Sequence, residues 1–326
     1  MNLCSADASV RVGVIGLGRR GRFLLERWLP HDRVQVVAAC DVDSQARAIA
    51  MPLCRQVVAD AGSLLTHDGV DVVLLALPLA ERAALAQQVL SAGRPVVFAD
   101  PPIAADLQRA VALVESARSG GSRLAVWSPW RENPDFQAAL ATAQSEAPGP
   151  LRCVRYERWS AANLECRTEP SADIGELPRS VVYVFDQLIA LAAAAPTRIM
   201  ARPVGSGLTA IVEFAAGPTA TITLHPRSAM NLDSGWAFDA VRGGYAAGRR
   251  WVRTADGEVY DVPAEPTKPP TLEDLLRSLL AGEAAAESLS ESLRLIALLS
   301  ACQRSLRTGQ AVAIEQSCCP VGQAPA

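Results

Sequence analysis

Over the first 127 residues, short apolar runs alternate with segments of helical spacing. Residues 10–15, 34–40, 56–58, 70–76, 96–98 and 123–127 predict strands. Run 70–76 is nearly continuous in its apolar residues, as expected of a parallel strand covered on both faces. Between the runs, residues 22–29, 44–50, 80–92 and 106–119 predict helices. Leu85, Val89 and Leu90 share one side of the third, and Leu107, Ala110, Val111 and Val114 one side of the fourth. Gly93 and Gly120-Gly121 stop these two helices. Strict strand–helix alternation implies right-handed crossovers and a doubly wound parallel sheet.

The pattern changes at Ser128. A helix at 133–145 and a long strand at 151–160 precede residues 161–178, which are polar, poorly patterned and read as a loop near a site. A helix at 179–195 leads into alternating strands at 198–204, 208–214, 219–225, 236–242, 249–253 and 258–262, separated by Gly-rich turns. After an extended linker at 263–270 come helices at 271–281 and 288–307 and a short strand at 311–314. The fold class is therefore α/β: a doubly wound domain over 1–127, then an α+β domain over 128–326 with a mostly antiparallel open sheet.

The first strand runs into Gly16-Leu17-Gly18-Arg19-Arg20-Gly21 and straight on into helix. This order suits a dinucleotide pyrophosphate. The first glycine permits the turn, the second lets backbone approach phosphate, and the third lets helix and strand pack closely. Amides at the helix start face the anion, helped by the helix dipole. Asp41 ends the second strand, where a carboxylate accepts hydrogen bonds from an adenosine ribose and repels a 2′-phosphate. The first domain is thus read as a Rossmann domain for NAD, with NADP possible because Arg19 and Arg20 lie close by. One of these arginines is expected on phosphate and the other in solvent. Leu77 and Pro78, after the fourth strand, and Pro101, after the fifth, complete the expected cofactor set.

Net charge is −3, and the 31 basic residues form no dense cluster, so nucleic acid and anionic membrane surfaces are not indicated as partners. All but one of the basic residues are arginine; Lys268 is the exception. The first residues lack a charged start followed by an apolar stretch, and no apolar run is long enough to cross a bilayer. Eight cysteines without C-x-x-C spacing read as free thiols of a reducing cytoplasm, with no metal site.

A nucleotide-binding half followed by a helix and antiparallel sheet resembles the glucose–fructose oxidoreductase / inositol dehydrogenase (Gfo/Idh/MocA) family over residues 10–315. Asp71 to Pro78 is similar to its D-x-V-x-x-x-x-P segment, Ala92 to Val96 to its A-G-K-x-V, and Arg131, Pro134 and Phe136 to its R-x-x-P-x-F. Leu280 to Gly282, Ser305, Thr308-Gly309 and Val312 match its closing pattern. The resemblance implies an NAD(P)-dependent oxidoreductase acting on a sugar, polyol or related carbonyl compound. It also implies a homodimer or larger assembly through the C-terminal sheet.

Two family features depart. The usual Glu-Lys-Pro is here Ala99-Asp100-Pro101-Pro102, and the lysine position falls on Asp100 or Pro101 according to the direction of counting. In the usual D-x-G-x-H-x-x-D, Asp186 matches the last acid while Tyr183 stands at the histidine. A positioned base contributes ~10²–10⁴-fold to such chemistry. The catalytic candidates are therefore Tyr183, Asp100 and Asp186, with Arg131 and Trp130 on the substrate. Each has a plainer reading: Tyr183 as a half-buried aromatic, Asp100 as a turn cap, Asp186 as a partner of nearby backbone. Trp127, Trp130 and Trp159 line a pocket or pack in a core; His31, His67 and His225 carry no evident role. Two other functions stay open: an NAD-binding sensor or partner subunit without turnover, and a non-redox enzyme with tightly bound NAD.

Overall fold

The computed structural model describes residues 9–28, 33–160, 177–205, 207–226, 232–254, 256–266, 271–282 and 286–315. Lys268, His31, most of the 161–178 segment and four of the cysteines (4, 166, 318, 319) lie outside these, as does the side chain of Trp159. The chain divides into two compact units, with a boundary between Trp127 and Ser128.

In the first unit the order is β1 (Val10–Ile15), α1 (Arg19–Trp28), β2 (Val34–Cys40), α2 (Ser44–Ala50), β3 (Val57–Val58), α3 (Ala61–Leu65), β4 (Val72–Leu75), α4 (Leu79–Ser91), β5 (Val96–Phe98), α5 (Leu107–Ser119) and β6 (Leu124–Val126). The sheet runs β3-β2-β1-β4-β5-β6 with every pair parallel. Chain order reverses at β1/β4, the switch point where such sheets hold ligands beyond their carboxyl ends. Apolar runs become central strands because helices cover both faces: all four residues of β4 and all three of β5 are buried. Carboxylates start three of these helices. Asp43, Asp60 and Asp106 each accept a backbone N–H in the first turn of α2, α3 and α5. The α3 helix was not expected; its five residues bury only Leu64, too few to show a period.

In the second unit a 3₁₀ turn (Pro129–Glu132) precedes α6 (Pro134–Gln144), β7 (Leu151–Ser160), α7 (Arg179–Ala192) and strands β8 (Pro196–Val204), β9 (Gly207–Phe214), β10 (Thr219–Pro226), β11 (Leu232–Ala240), β12 (Gly243–Ala246), β13 (Arg249–Arg253) and β14 (Val259–Pro263). The chain then supplies α8 (Leu272–Ala281), α9 (Ala286–Thr308) and β15 (Val312–Ala313). The nine-stranded sheet, β14-β13-β12-β11-β7-β10-β9-β8-β15, is antiparallel except where β10 lies parallel to β7. One face is apolar, with Val154, Tyr156, Ile199, Val212, Ile222, Trp236 and Phe238 buried. Intervening residues such as Arg198, Met200, Ile211 and Thr221 are more open to solvent.

The second unit does not take everything after Ser128. Residues 271–292 return to the first unit. Leu272, Leu276 and Leu279 of α8 enter one core cluster with Val10, Val34, Leu74 and Trp127. Arg123 donates to the end-of-helix carbonyls of Leu279 and Leu280, each at 2.6 Å. Apolar burial and a capped helix end thus outweigh sequence proximity. Among the described residues no helix is long and apolar enough to cross a membrane.

Candidate functional site

At the glycine turn three requirements separate cleanly. Gly16 adopts φ 96°, and a Cβ there would lie 2.4 Å from the Ala76 carbonyl oxygen. At Gly21 a Cβ would fall 1.8 Å from the Gly16 carbonyl oxygen, so α1 seats on the turn only through a bare Cα. A Cβ at Gly18 meets nothing within 4 Å. No packing constraint explains glycine at that position; it leaves open backbone where a ligand can approach. The Asp41 carboxylate joins this turn to β2, accepting the Leu17 N–H at 2.6 Å and the Asp43 N–H at 2.9 Å. Arg19 is exposed. Arg20 lies over the Trp127 ring at 5.8 Å, and Trp127 itself is a core residue, 3 % exposed.

Leu77, Pro78 and Pro101 sit in the turns that follow β4 and β5. Both turns are gripped by Arg82, in the first turn of α4. Its guanidinium donates to the Leu77 carbonyl (2.9 Å), the Asp100 carbonyl (2.9 Å), the Pro102 carbonyl (2.7 Å) and the Asp100 carboxylate (2.7 Å). The Pro101–Pro102 bond is cis. Side-chain exposure is 4 % for Arg82 and 5 % for Asp100. The Asp100 carboxylate is therefore buried and forms one half of an ion pair with Arg82.

Within the second unit, four sequence candidates converge. Tyr183, Asp186 and Gln187 lie at i, i+3 and i+4 on α7, so they share the face toward the 3₁₀ turn. Trp130 stacks on Tyr183, ring centroids 4.9 Å apart. Arg131 forks onto Asp186, with Nε–Oδ2 at 2.9 Å and Nη2–Oδ1 at 2.7 Å, and Ser128 Oγ adds a bond to Oδ2 at 2.6 Å. Gln187 donates to the Trp130 carbonyl at 2.6 Å and accepts from Trp236 Nε1 at 3.1 Å. The turn is thus tied to the helix at successive residues. Trp130 is 39 % exposed while Tyr183 beneath it is 8 % exposed. The cluster presents an aromatic face and the edge of an anchored guanidinium.

His67 Nδ1 accepts the Gly69 N–H at 3.1 Å, a turn-closing bond. Sequence reasoning missed Arg82, Ser128 and Gln187. For Arg82 a signal existed: together with Ala86, Val89 and Leu90 it keeps the buried phase of α4, so a charge on that face requires a buried partner.

Residues 10–128 match the family model for an oxidoreductase family with an NAD-binding Rossmann fold, GFO_IDH_MocA. Over this segment, somewhat more than a third of the chain, the sequence is that of the Gfo/Idh/MocA nucleotide-binding domain. The chain is 31 % identical over 169 residues to inositol 2-dehydrogenase of Acidothermus cellulolyticus, covering 50 % of this chain and 49 % of that protein. It is 26 % identical over 223 residues to UDP-N-acetylglucosamine 3-dehydrogenase of Acidithiobacillus ferrooxidans, covering 68 % and 66 %. These matches span less than two thirds of either relative's length. An oxidoreductase from Agrobacterium radiobacter, solved in complex with NAD+, L-tartaric acid and magnesium, shares the fold at TM-score 0.77 and 18 % identity, covering 94 % of this chain and 98 % of that one.

Proposed function

We propose that the whole chain is a Gfo/Idh/MocA protein and acts as an NAD-dependent oxidoreductase for a sugar-like alcohol or carbonyl compound. The observation that carries the nucleotide half is the glycine turn, where Gly18 faces open space while Gly16 and Gly21 are required by packing. On this reading the α1 amides receive the diphosphate and Asp41 receives the adenosine ribose. When bound, the nicotinamide supplies hydride acceptance or donation.

This chain's own residues then have separate roles. Trp130 offers an apolar ring to a sugar face, and Arg131, oriented by Asp186, offers donors to its hydroxyls. Tyr183 carries the phenol that handles the hydroxyl proton, in place of a histidine. Asp186 acts through Arg131 and is a positioning residue. The inositol and UDP-N-acetylglucosamine dehydrogenases among the relatives support a polyhydroxylated substrate.

Two observations favour a second reading, nucleotide binding without turnover: Tyr183 is 8 % exposed beneath Trp130, and Asp100 is sealed by Arg82. NADH production over a panel of polyols, sugars and nucleotide sugars separates the two. The oxidoreductase reading expects turnover with at least one substrate, and a fall of about 10² or more in kcat for Tyr183→Phe with NAD affinity retained. Undiminished kcat in Tyr183→Phe removes the tyrosine from the chemistry. Nucleotide binding with no turnover on any substrate supports the second reading.

A further inference from the structure

We infer that Arg82 is a positioning residue for the nicotinamide half of the dinucleotide site; the inference rests on the nucleotide reading above. Strands β4 and β5 are adjacent and parallel, Leu75 beside Phe98, so the turns that follow them emerge together at the carboxyl edge of the sheet. Asp41 lies on the β2 side of β1 and marks the adenosine half. In a sheet that reverses at β1/β4, the second nucleotide falls on the β4–β5 side.

These two turns contain Pro78, Pro101 and Pro102, none of which has an N–H to donate. The prolines leave these turns fewer backbone donors, so their carbonyls are available to a donor from outside the turns. Arg82 supplies the donors, reaching Leu77 in one turn and Asp100 and Pro102 in the other. A guanidinium is well suited to such a clamp, being planar, offering several N–H groups in a fixed fork, and staying charged when buried. Asp100 neutralises that charge inside the protein, which makes the clamp sustainable at 4 % exposure. In this chain, then, the ion pair occupies the segment where a proton-transferring lysine is usual for the family, and it fixes the floor of the site instead of reacting.

The test is a pair of titrations on the full chain, one with NAD and one with ADP-ribose, which lacks the nicotinamide. Two variants are compared with the wild type: Arg82→Lys keeps the charge but not the fork, and Arg82→Gln/Asp100→Asn removes both charges together. Ligand-free melting curves identify which of them fold. The inference expects NAD binding to weaken by roughly tenfold or more and ADP-ribose binding by less than about twofold. Equal losses for both ligands, no loss for either, or failure of both variants to fold overturns it by making the clamp purely structural. A wild type that binds neither ligand rejects the nucleotide reading itself, a result distinct from any of these.

Discussion

Three glycines within one turn differ in what they do, and the difference is measurable. Gly21→Ala drives a Cβ into the Gly16 carbonyl oxygen at 1.8 Å, so it should cost about 3 kcal/mol or more in chemical denaturation of the ligand-free protein. Gly18→Ala meets nothing within 4 Å and should leave that denaturation curve within about 0.5 kcal/mol of wild type, while NAD affinity falls because the methyl group stands where the diphosphate approaches. Comparable destabilisation by both substitutions would show that Gly18 is a packing residue. Much of this turn was legible in the sequence, since a strand, three glycines, a helix and Asp41 follow in fixed order. The Arg82–Asp100 pair was not. Its partners are 18 residues apart, and Asp100 before proline has a local turn reading that conceals a long-range one.

At the scale of elements, periodicity located the strands and helices that bury one face or both, and failed where length or packing hid the period. Strand β12 is invisible in the hydrophobic pattern and reads as a turn because it begins Gly243-Gly244. Its glycines are there because Trp251 on β13 packs against them; a Cβ at Gly244 would lie 2.4 Å from the Trp251 ring. Alternation also cannot reveal strand order, so the parallel β7/β10 contact emerged only in the structure. Buried thiols on such elements give the fold an alkaline limit. Burial raises Cys302 to about 12. Burial first, then the negative charges of Asp60 and Asp41, raise Cys40 to about 11. An unfolded thiol loses its proton near pH ~8.5, whereas these folded ones keep theirs. The folded chain therefore binds more protons above that pH, and stability falls as pH climbs toward the folded values. Urea melts at about pH 8 and about pH 10.5 should show a steeper loss in wild type than in Cys40→Ala/Cys302→Ala. Identical slopes would remove the thiols as the cause.

For the whole molecule, the two units differ in their local chemistry. The first is built around the carboxyl edge of a parallel sheet, with backbone amides, a carboxylate and two clamped turns. The second carries an aromatic ring over a buried phenol and a guanidinium locked by Asp186. The division after Trp127 follows the change in hydrophobic pattern, but the recruitment of α8 into the first unit does not; it depends on leucines far along the chain reaching the same core as Val10 and Trp127. Calorimetric titration of the full chain with NAD and NADP probes the dinucleotide site on which every functional role above depends. NAD is predicted to bind saturably, with NADP weaker because the carboxylate of Asp41, fixed by the Leu17 and Asp43 amides, repels a 2′-phosphate. Absence of heat and of any thermal shift with both nucleotides, oxidised and reduced, would contradict it.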